Sequence, residues 1–170
     1  MFRNRVDIFW GTLGEGGLIL AMAVISWATK QPLIFASLGP TAYEMVEQPR
    51  LRSARPYNII AGHLIGLGSG FLAIWLTHAS TEPNVILTGI TSTPRLWAVA
   101  IAATLTTLLT LLLKAGQPAS LATTLLVALG SMQTLRNALA IIAGVLLITI
   151  IGEPVRRFRL KDTPVRPVLG

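Results

Sequence analysis

The residues able to do chemistry gather in two short stretches. Ser37-Leu38-Gly39-Pro40-Thr41 sets two hydroxyls beside a glycine and a proline, and Gln117-Pro118-Ala119-Ser120-Leu121-Ala122-Thr123-Thr124 sets three hydroxyls behind a second proline. Pro40 cannot donate a backbone hydrogen bond, so a helix running through 32–46 is expected to break near Gly39. A half-helix starting at Pro40 would present unpaired N–H groups and a positive dipole end beside the Ser37 and Thr41 hydroxyls, which suits a small anion. Pro118 falls in a first helical turn, where proline is tolerated, with Ser120 and Thr123 following. The same hydroxyls also have an ordinary use, satisfying helix carbonyls or letting helices pack closely. Their occurrence at two corresponding places favours a binding site.

Three ionisable residues lie inside apolar stretches: Glu15, Glu44 and His63. Such groups face a bundle interior or a water path. Glu44 and His63 together suit a proton relay; alternatively Glu44 reaches the Arg50, Arg52 and Arg55 cluster, and His63 bonds a neighbouring helix. Gly62, Gly66 and Gly70 recur every four residues and predict a seam where another helix approaches closely. No nucleophile elbow, phosphate-binding glycine loop, His-rich metal spacing or carboxylate pair is present, so neither catalysis nor a metal or other cofactor is expected. The chain has no cysteine, which removes disulfides and thiol chemistry.

The elements that must hold these residues are membrane spans. The chain is 52% hydrophobic and 12% charged, against about 25% charged in soluble domains. Six apolar segments stand out, at 10–29, 32–46, 57–79, 96–113, 118–132 and 135–152. Four are long enough to cross. The second and fifth, with 15 residues each, make about 22 Å of helix against a hydrocarbon core of about 30 Å. Trp10, Trp27, Trp75 and Trp97 fall near segment ends, where an amphipathic ring prefers the headgroup level. Arg3 and Arg5 before the first run resemble a signal peptide, but Glu15 interrupts the run and no small-residue cleavage site follows, so a retained span is expected.

Charge decides the topology. If all six segments cross with the N-terminus cytoplasmic, eleven basic residues lie inside and only Lys30, Arg95 and Arg136 outside. Re-entrant short segments would put six basic residues on the outer face, Lys30, Arg50, Arg52, Arg55, Lys114 and Arg136, against the positive-inside rule. The net charge of +7 therefore reads as a membrane signal and not as nucleic-acid binding. The chain also repeats: Lys30-Gln31-Pro32 is echoed by Gly116-Gln117-Pro118, and Ile59-Ile60-Ala61-Gly62 by Ile141-Ile142-Ala143-Gly144. The expected fold is thus all-α and polytopic, a single transmembrane domain over residues 1–152. Its two inverted three-helix repeats (about 8–79 and 95–152) each read long, short, long. The basic stretch 153–170, with Pro154, Pro164 and Pro167, is expected to be an extended cytoplasmic tail near anionic lipid.

The run Ser37-Leu38-Gly39-Pro40-Thr41-Ala42, then Gln48-Pro49, then Arg55-Pro56-Tyr57-Asn58 and Gly62-His63, resembles the HPP family of membrane proteins, where a Ser-Phe-Gly-Ala-Ser-Ala run precedes a Pro-Arg-Asn segment and a Gly-His pair. Gln117-Pro118-Ala119 stands where that family has its namesake His-Pro-Pro, and Arg55-Pro56-Tyr57 interrupts the usual Pro-Arg-Asn. The resemblance covers about residues 30–152 and implies a fold described with four spanning helices. It also implies nitrite as a candidate substrate, by association with plant and cyanobacterial members.

The function expected is a transporter or channel for a small inorganic anion in the plasma (inner) membrane, with both termini cytoplasmic. Ser37, Gly39, Pro40, Thr41, Gln117, Pro118, Ser120 and Thr123 would line its site, with Asn58 and His63 behind them and Arg55 supplying charge at the cytoplasmic mouth. The partners expected are the lipid bilayer, the anion and a second copy of the chain sealed by the glycine seam. The alternative is a non-transporting subunit that binds another membrane protein through that seam. Single cysteines at Ser53 and Thr88 are expected to react with an impermeant thiol reagent from opposite faces of the membrane; labelling of both from one face defeats six crossings.

Overall fold

The computed structural model describes residues 5–162, and every regular element among them is helical. Arg3, Pro164, Arg166 and Pro167 lie outside the described residues. Four long helices are apolar enough to cross a membrane: α1 (Arg5–Thr29), α3 (Pro56–Leu76), α5 (Thr93–Leu112) and α7 (Leu135–Asp162). Two are short, α2 (Leu38–Glu47) and α6 (Ala119–Ala128), and α4 (Val85–Thr88) is a single turn in the loop after α3.

Contacts between chain ends give the direction of every segment. Asp7 on α1 pairs with Arg159 on α7 at 2.7 Å, so α1 begins where α7 ends. The second segment runs parallel to α7: Gln31 accepts from Arg136 near one end of that helix, and Arg50 donates to the Leu160 carbonyl near the other. Those two points on α7 are separated by about 36 Å of helix. The fifth segment runs parallel to α3 in the same way. Asn58 donates to the Lys114 and Gly116 carbonyls at its start, and Gln133 donates to the Ser80 carbonyl beyond its end. Arg95 at the start of α5 reaches the Ala128 carbonyl, and Tyr57 at the start of α3 reaches the Leu113 carbonyl. All six segments therefore alternate in direction, and the two ends of the described chain share one face with Arg50, Arg52, Arg55 and Lys114.

The short segments span the bundle because they are not helical throughout. Residues 32–35 and 115–117 carry no regular structure before the helices begin, and extended chain rises about 3.3 Å per residue against 1.5 Å in a helix. This corrects the expected break at Gly39: α2 already starts at Leu38 and holds Pro40 in its first turn, where no N–H is needed. Pro118 likewise sits just before Ala119 as the N-cap of α6. Each unwound stretch follows a lysine in the left-handed region, Lys30 (φ 55°) and Lys114 (φ 52°), which turns the chain out of the preceding long helix.

The two halves match and interlock. α3 packs on α5 and α6, and α7 packs on α1 and α2, so the third helix of each half covers the short segment of the other. Glycines make this possible. A Cβ at Gly62 would lie 2.8 Å from Gln117 Cβ, one at Gly66 2.6 Å from the Ser120 carbonyl oxygen, and one at Gly70 2.8 Å from Val127 Cβ. In the other half a Cβ at Gly144 would lie 2.5 Å from the Leu33 carbonyl oxygen, and one at Gly152 2.7 Å from Met45. Gly62 and Gly144, like Gly70 and Gly152, are 82 positions apart. The glycine seam of α3 is thus filled by the same chain, and it is not free to seal a dimer or hold another protein.

Polarity runs from the inside out. Thr41, Asn58, His63, Thr106, Ser120 and Thr123 are buried, while Leu20, Val24, Leu72, Leu111 and Ile150 are exposed. The four tryptophans are all exposed near helix ends, in keeping with rings at a headgroup layer. The expected extended tail is helical as far as Asp162. Pro154 is carried inside α7, and Glu153 binds Arg156 and Arg157 one turn on, which offsets the hydrogen bond that proline removes. Gly66→Ala and Gly144→Ala are each expected to destabilise the protein by about 1–3 kcal/mol through overpacking. Gly68→Ala, where a Cβ meets nothing within 4 Å, should be neutral or gain up to about 1 kcal/mol of helix propensity. Thermal unfolding of the detergent-solubilised variants measures both.

Candidate functional site

The two short helices meet at their polar faces in the middle of the bundle. Ser37 Oγ lies 2.7 Å from Thr123 Oγ1, both hydroxyls fully buried. The two residues are 86 positions apart, the same interval that separates Gln31-Pro32 from Gln117-Pro118. Within the short helices the halves correspond at an interval of 82, which pairs Thr123 with Thr41 and Ser37 with Ala119, so the contact joins the start of α2 to the second turn of α6.

From this contact two polar stripes run toward the face that carries the arginine cluster. On α2, Ser37, Thr41 and Glu44 recur at helical spacing along one side. Thr41 Oγ1 donates to the Ser37 carbonyl at 3.0 Å and stands 3.5 Å from His63 Nε2. His63 Nδ1 is 2.8 Å from the Ile59 carbonyl. A carbonyl only accepts, so Nδ1 carries the proton and Nε2 of the neutral ring is an acceptor. On the fifth segment, Ser120 donates to the Gln117 carbonyl at 2.6 Å, and Thr124 donates to the Ser120 carbonyl while bonding Thr106 at 2.8 Å. Glu44 meets the start of this second stripe, where Gln117 and the loop residue Ser53 are the side chains beside it. Glu44 therefore does not serve as a partner for the Arg50 to Arg55 cluster.

A cavity of about 120 Å³ lies beside the seam between α3 and α7. Its walls come in pairs 82 positions apart, Ile60 with Ile142, Leu64 with Leu146, and His63 with Val145. The cavity thus lies between corresponding faces of α3 and α7, and His63 is the point at which the pairing becomes polar. His63 joins the cavity to the hydroxyl seam.

Of the expected lining residues, Ser37, Thr41, His63, Gln117, Ser120 and Thr123 are brought together. Gly39 is half-buried and Pro40 and Pro118 are exposed on the outside of the bundle, so the prolines shape the chain without lining the seam. Asn58 lies near the start of α3, tying the entry of the fifth segment, and Arg55 is exposed as the N-cap of that helix. The expected cradle of free backbone donors is not formed at α6. There the Ala119, Ser120 and Leu121 N–H groups are taken by Gln117 Oε1, the Gln117 carbonyl and the Pro118 carbonyl. At α2 the Leu38 N–H bonds the Phe35 carbonyl. The donors that the two helix starts turn toward each other are hydroxyls.

Sequence reasoning overlooked two arginines. Arg95, fully buried, donates to the Ala128, Pro83 and Glu82 carbonyls and to Gln133 Oε1. Its guanidinium fills the space above Gly130, whose φ of 92° favours glycine. Arg159 donates to the Val46 carbonyl while paired with Asp7. Val46 and Ala128 are themselves 82 positions apart. Each short helix thus has a guanidinium at its carbonyl end, where the helix dipole is negative. Arg95 counted only as a loop charge, and nothing local in the sequence marks it as buried. Ser37→Ala and Thr123→Ala are expected to be coupled, the double variant losing about 0.5–1.5 kcal/mol less than the two single losses summed. A double-mutant cycle of thermal stability checks this.

The family model described as HPP, transmembrane region, matches residues 2–163. No curated protein and no solved structure matches the chain. The match spans nearly the whole sequence and takes in both short segments and the seam between them; this chain belongs to the HPP family of integral membrane proteins.

Proposed function

We propose that this protein carries a small inorganic anion, with nitrite the first candidate, across a plasma (inner) membrane through the seam between α2 and α6. The observation that carries the reading is the Ser37–Thr123 contact, where two half-extended crossings of opposite direction meet through buried hydroxyls inside the bundle. Unwound crossings at corresponding places in two inverted halves are the feature that most often accompanies a transporter's binding site. A direct bond between two hydroxyls uses only one of their two protons as a donor, so parting them leaves two donors facing an incoming anion. Thr41 and His63 stand beside them, and the cavity next to His63 offers space for the ion. Movement of one half against the other would open the seam to each side in turn.

The basic residues favour cytoplasmic termini. Arg50, Arg52, Arg55, Lys114, Arg156, Arg157, Arg159 and Lys161 gather at the face where α1 begins and α7 ends, against Lys30, Arg95 and Arg136 at the other. A dimer remains part of the proposal but must use a surface other than the filled glycine seam. Transport explains the paired polar seam without any catalytic group. In proteoliposomes, uptake of nitrite or nitrate above that of protein-free vesicles is expected. Thr41→Val and Thr123→Val are each expected to lower it about 10- to 100-fold, the worth of one hydrogen bond to a charged ligand, with folding and assembly intact. Absence of uptake of any small anion by the wild-type protein would defeat the reading.

A further inference from the structure

Two buried polar atoms at the end of the seam lack hydrogen-bond partners. Glu44 Oε2 and Gln117 Nε2 are both inaccessible and unbonded, although the two side chains stand beside each other. Gln117 is 3% exposed, and its Oε1 is held by the Ala119 N–H, which fixes Nε2 as the free donor. Polar atoms buried in this way are expensive unless something is bound between them. An acceptor and a donor side by side without a well-formed bond suit a proton carried on the carboxylate together with the water that delivers it.

The position of Glu44 gives this a consequence. It is two turns of α2 beyond Ser37, about 10 Å along the helix, between the central hydroxyls and the arginine-bearing face. The groups around it do not neutralise it. On the elements packed against α2, Asp7 pairs with Arg159, Glu153 with Arg156 and Arg157, and His63 is held by the Ile59 carbonyl. Glu15 on α1 brings no positive charge, and α6 has no ionisable side chain. Arg50, Arg52 and Arg55 lie in the loop beyond, and none forms an ion pair with Glu44 among the described residues. An anion passing an ionised carboxylate at about 4 Å would be disfavoured on the order of a thousand-fold at an effective dielectric constant of about 20.

We propose that Glu44 is a proton-binding site on the anion's route, so that each monovalent anion passes with one proton and no net charge crosses. This rests on the transport reading above and adds its coupling ion. Proton and anion must then favour each other's binding reciprocally. In infrared difference spectra of the full chain in lipid vesicles, the Glu44 carboxyl band is the one missing from Glu44→Gln. Saturating nitrite is expected to move its titration to higher pH by about one to two units, a coupling of about 10- to 100-fold. Nitrite uptake by the wild-type protein should bring in one proton per anion and ignore a potential set with potassium and valinomycin. In Glu44→Gln uptake should become driven by that potential and lose its proton, and Glu44→Asp should restore proton movement. A titration that nitrite moves while uptake is absent keeps the proton site and removes transport. Uptake with an unmoved titration, or proton-coupled uptake persisting in Glu44→Gln, overturns the proton site and leaves transport standing. Neither uptake nor a moved titration overturns both.

Discussion

Backbone that leaves the helix at membrane depth must find its hydrogen bonds inside the protein, because hydrocarbon supplies none. Two crossings of this chain are partly unwound, at 32–35 and 115–117, and the rest of the architecture follows from sheltering them. Each is laid against a long helix stripped of side chains along one line, Gly62, Gly66 and Gly70 on α3 and Gly144 and Gly152 on α7. Asn58 donates to the unwound carbonyls entering the fifth segment, and Arg136 holds Gln31 at the entry of the second. A helix crossing needs no such help; a half-extended one cannot exist without it.

The same constraint explains why the halves interlock. If each half folded on its own third helix, the short segments would be covered by chain of the same repeat and would not need to meet. Exchanging the covers brings α2 and α6 together and sets hydroxyl against hydroxyl. It also places a guanidinium at each outer end, Arg95 at the Ala128 carbonyl and Arg159 at the Val46 carbonyl. Opposite charge at the carbonyl ends complements the dipoles. The result is a polar centre bounded by apolar walls and fixed at both ends.

Much of this was legible in residues alone, for physical reasons. Length and hydropathy separate the four long spans from the two short ones because bilayer thickness is a fixed ruler. Basic residues report the direction of crossing because they resist translocation, and the alternation they implied agrees with the contacts at both ends of every segment. Pro32 and Pro118 mark where helices cannot continue inward, and the repeated Gln-Pro and Ile-Ile-Ala-Gly runs expose the two halves. Less legible was the detail around Pro40. Proline was expected to break a helix that instead begins two residues before it, since the first turn has no N–H bonds to lose.

What the sequence by itself determined is the set of crossings, their directions and their twofold repetition, all of which are set by each segment's own length, charge and composition against the bilayer. What only the tertiary structure decided is which segments cover which. The glycine seam turned inward onto Gln117, Ser120 and Val127 instead of outward to a partner. Glu44 turned toward Gln117 and not toward the arginines, and Arg95 left its place among loop charges to be buried. Each of these depends on residues tens of positions away becoming neighbours, and one-dimensional spacing carries no record of that until the halves have packed.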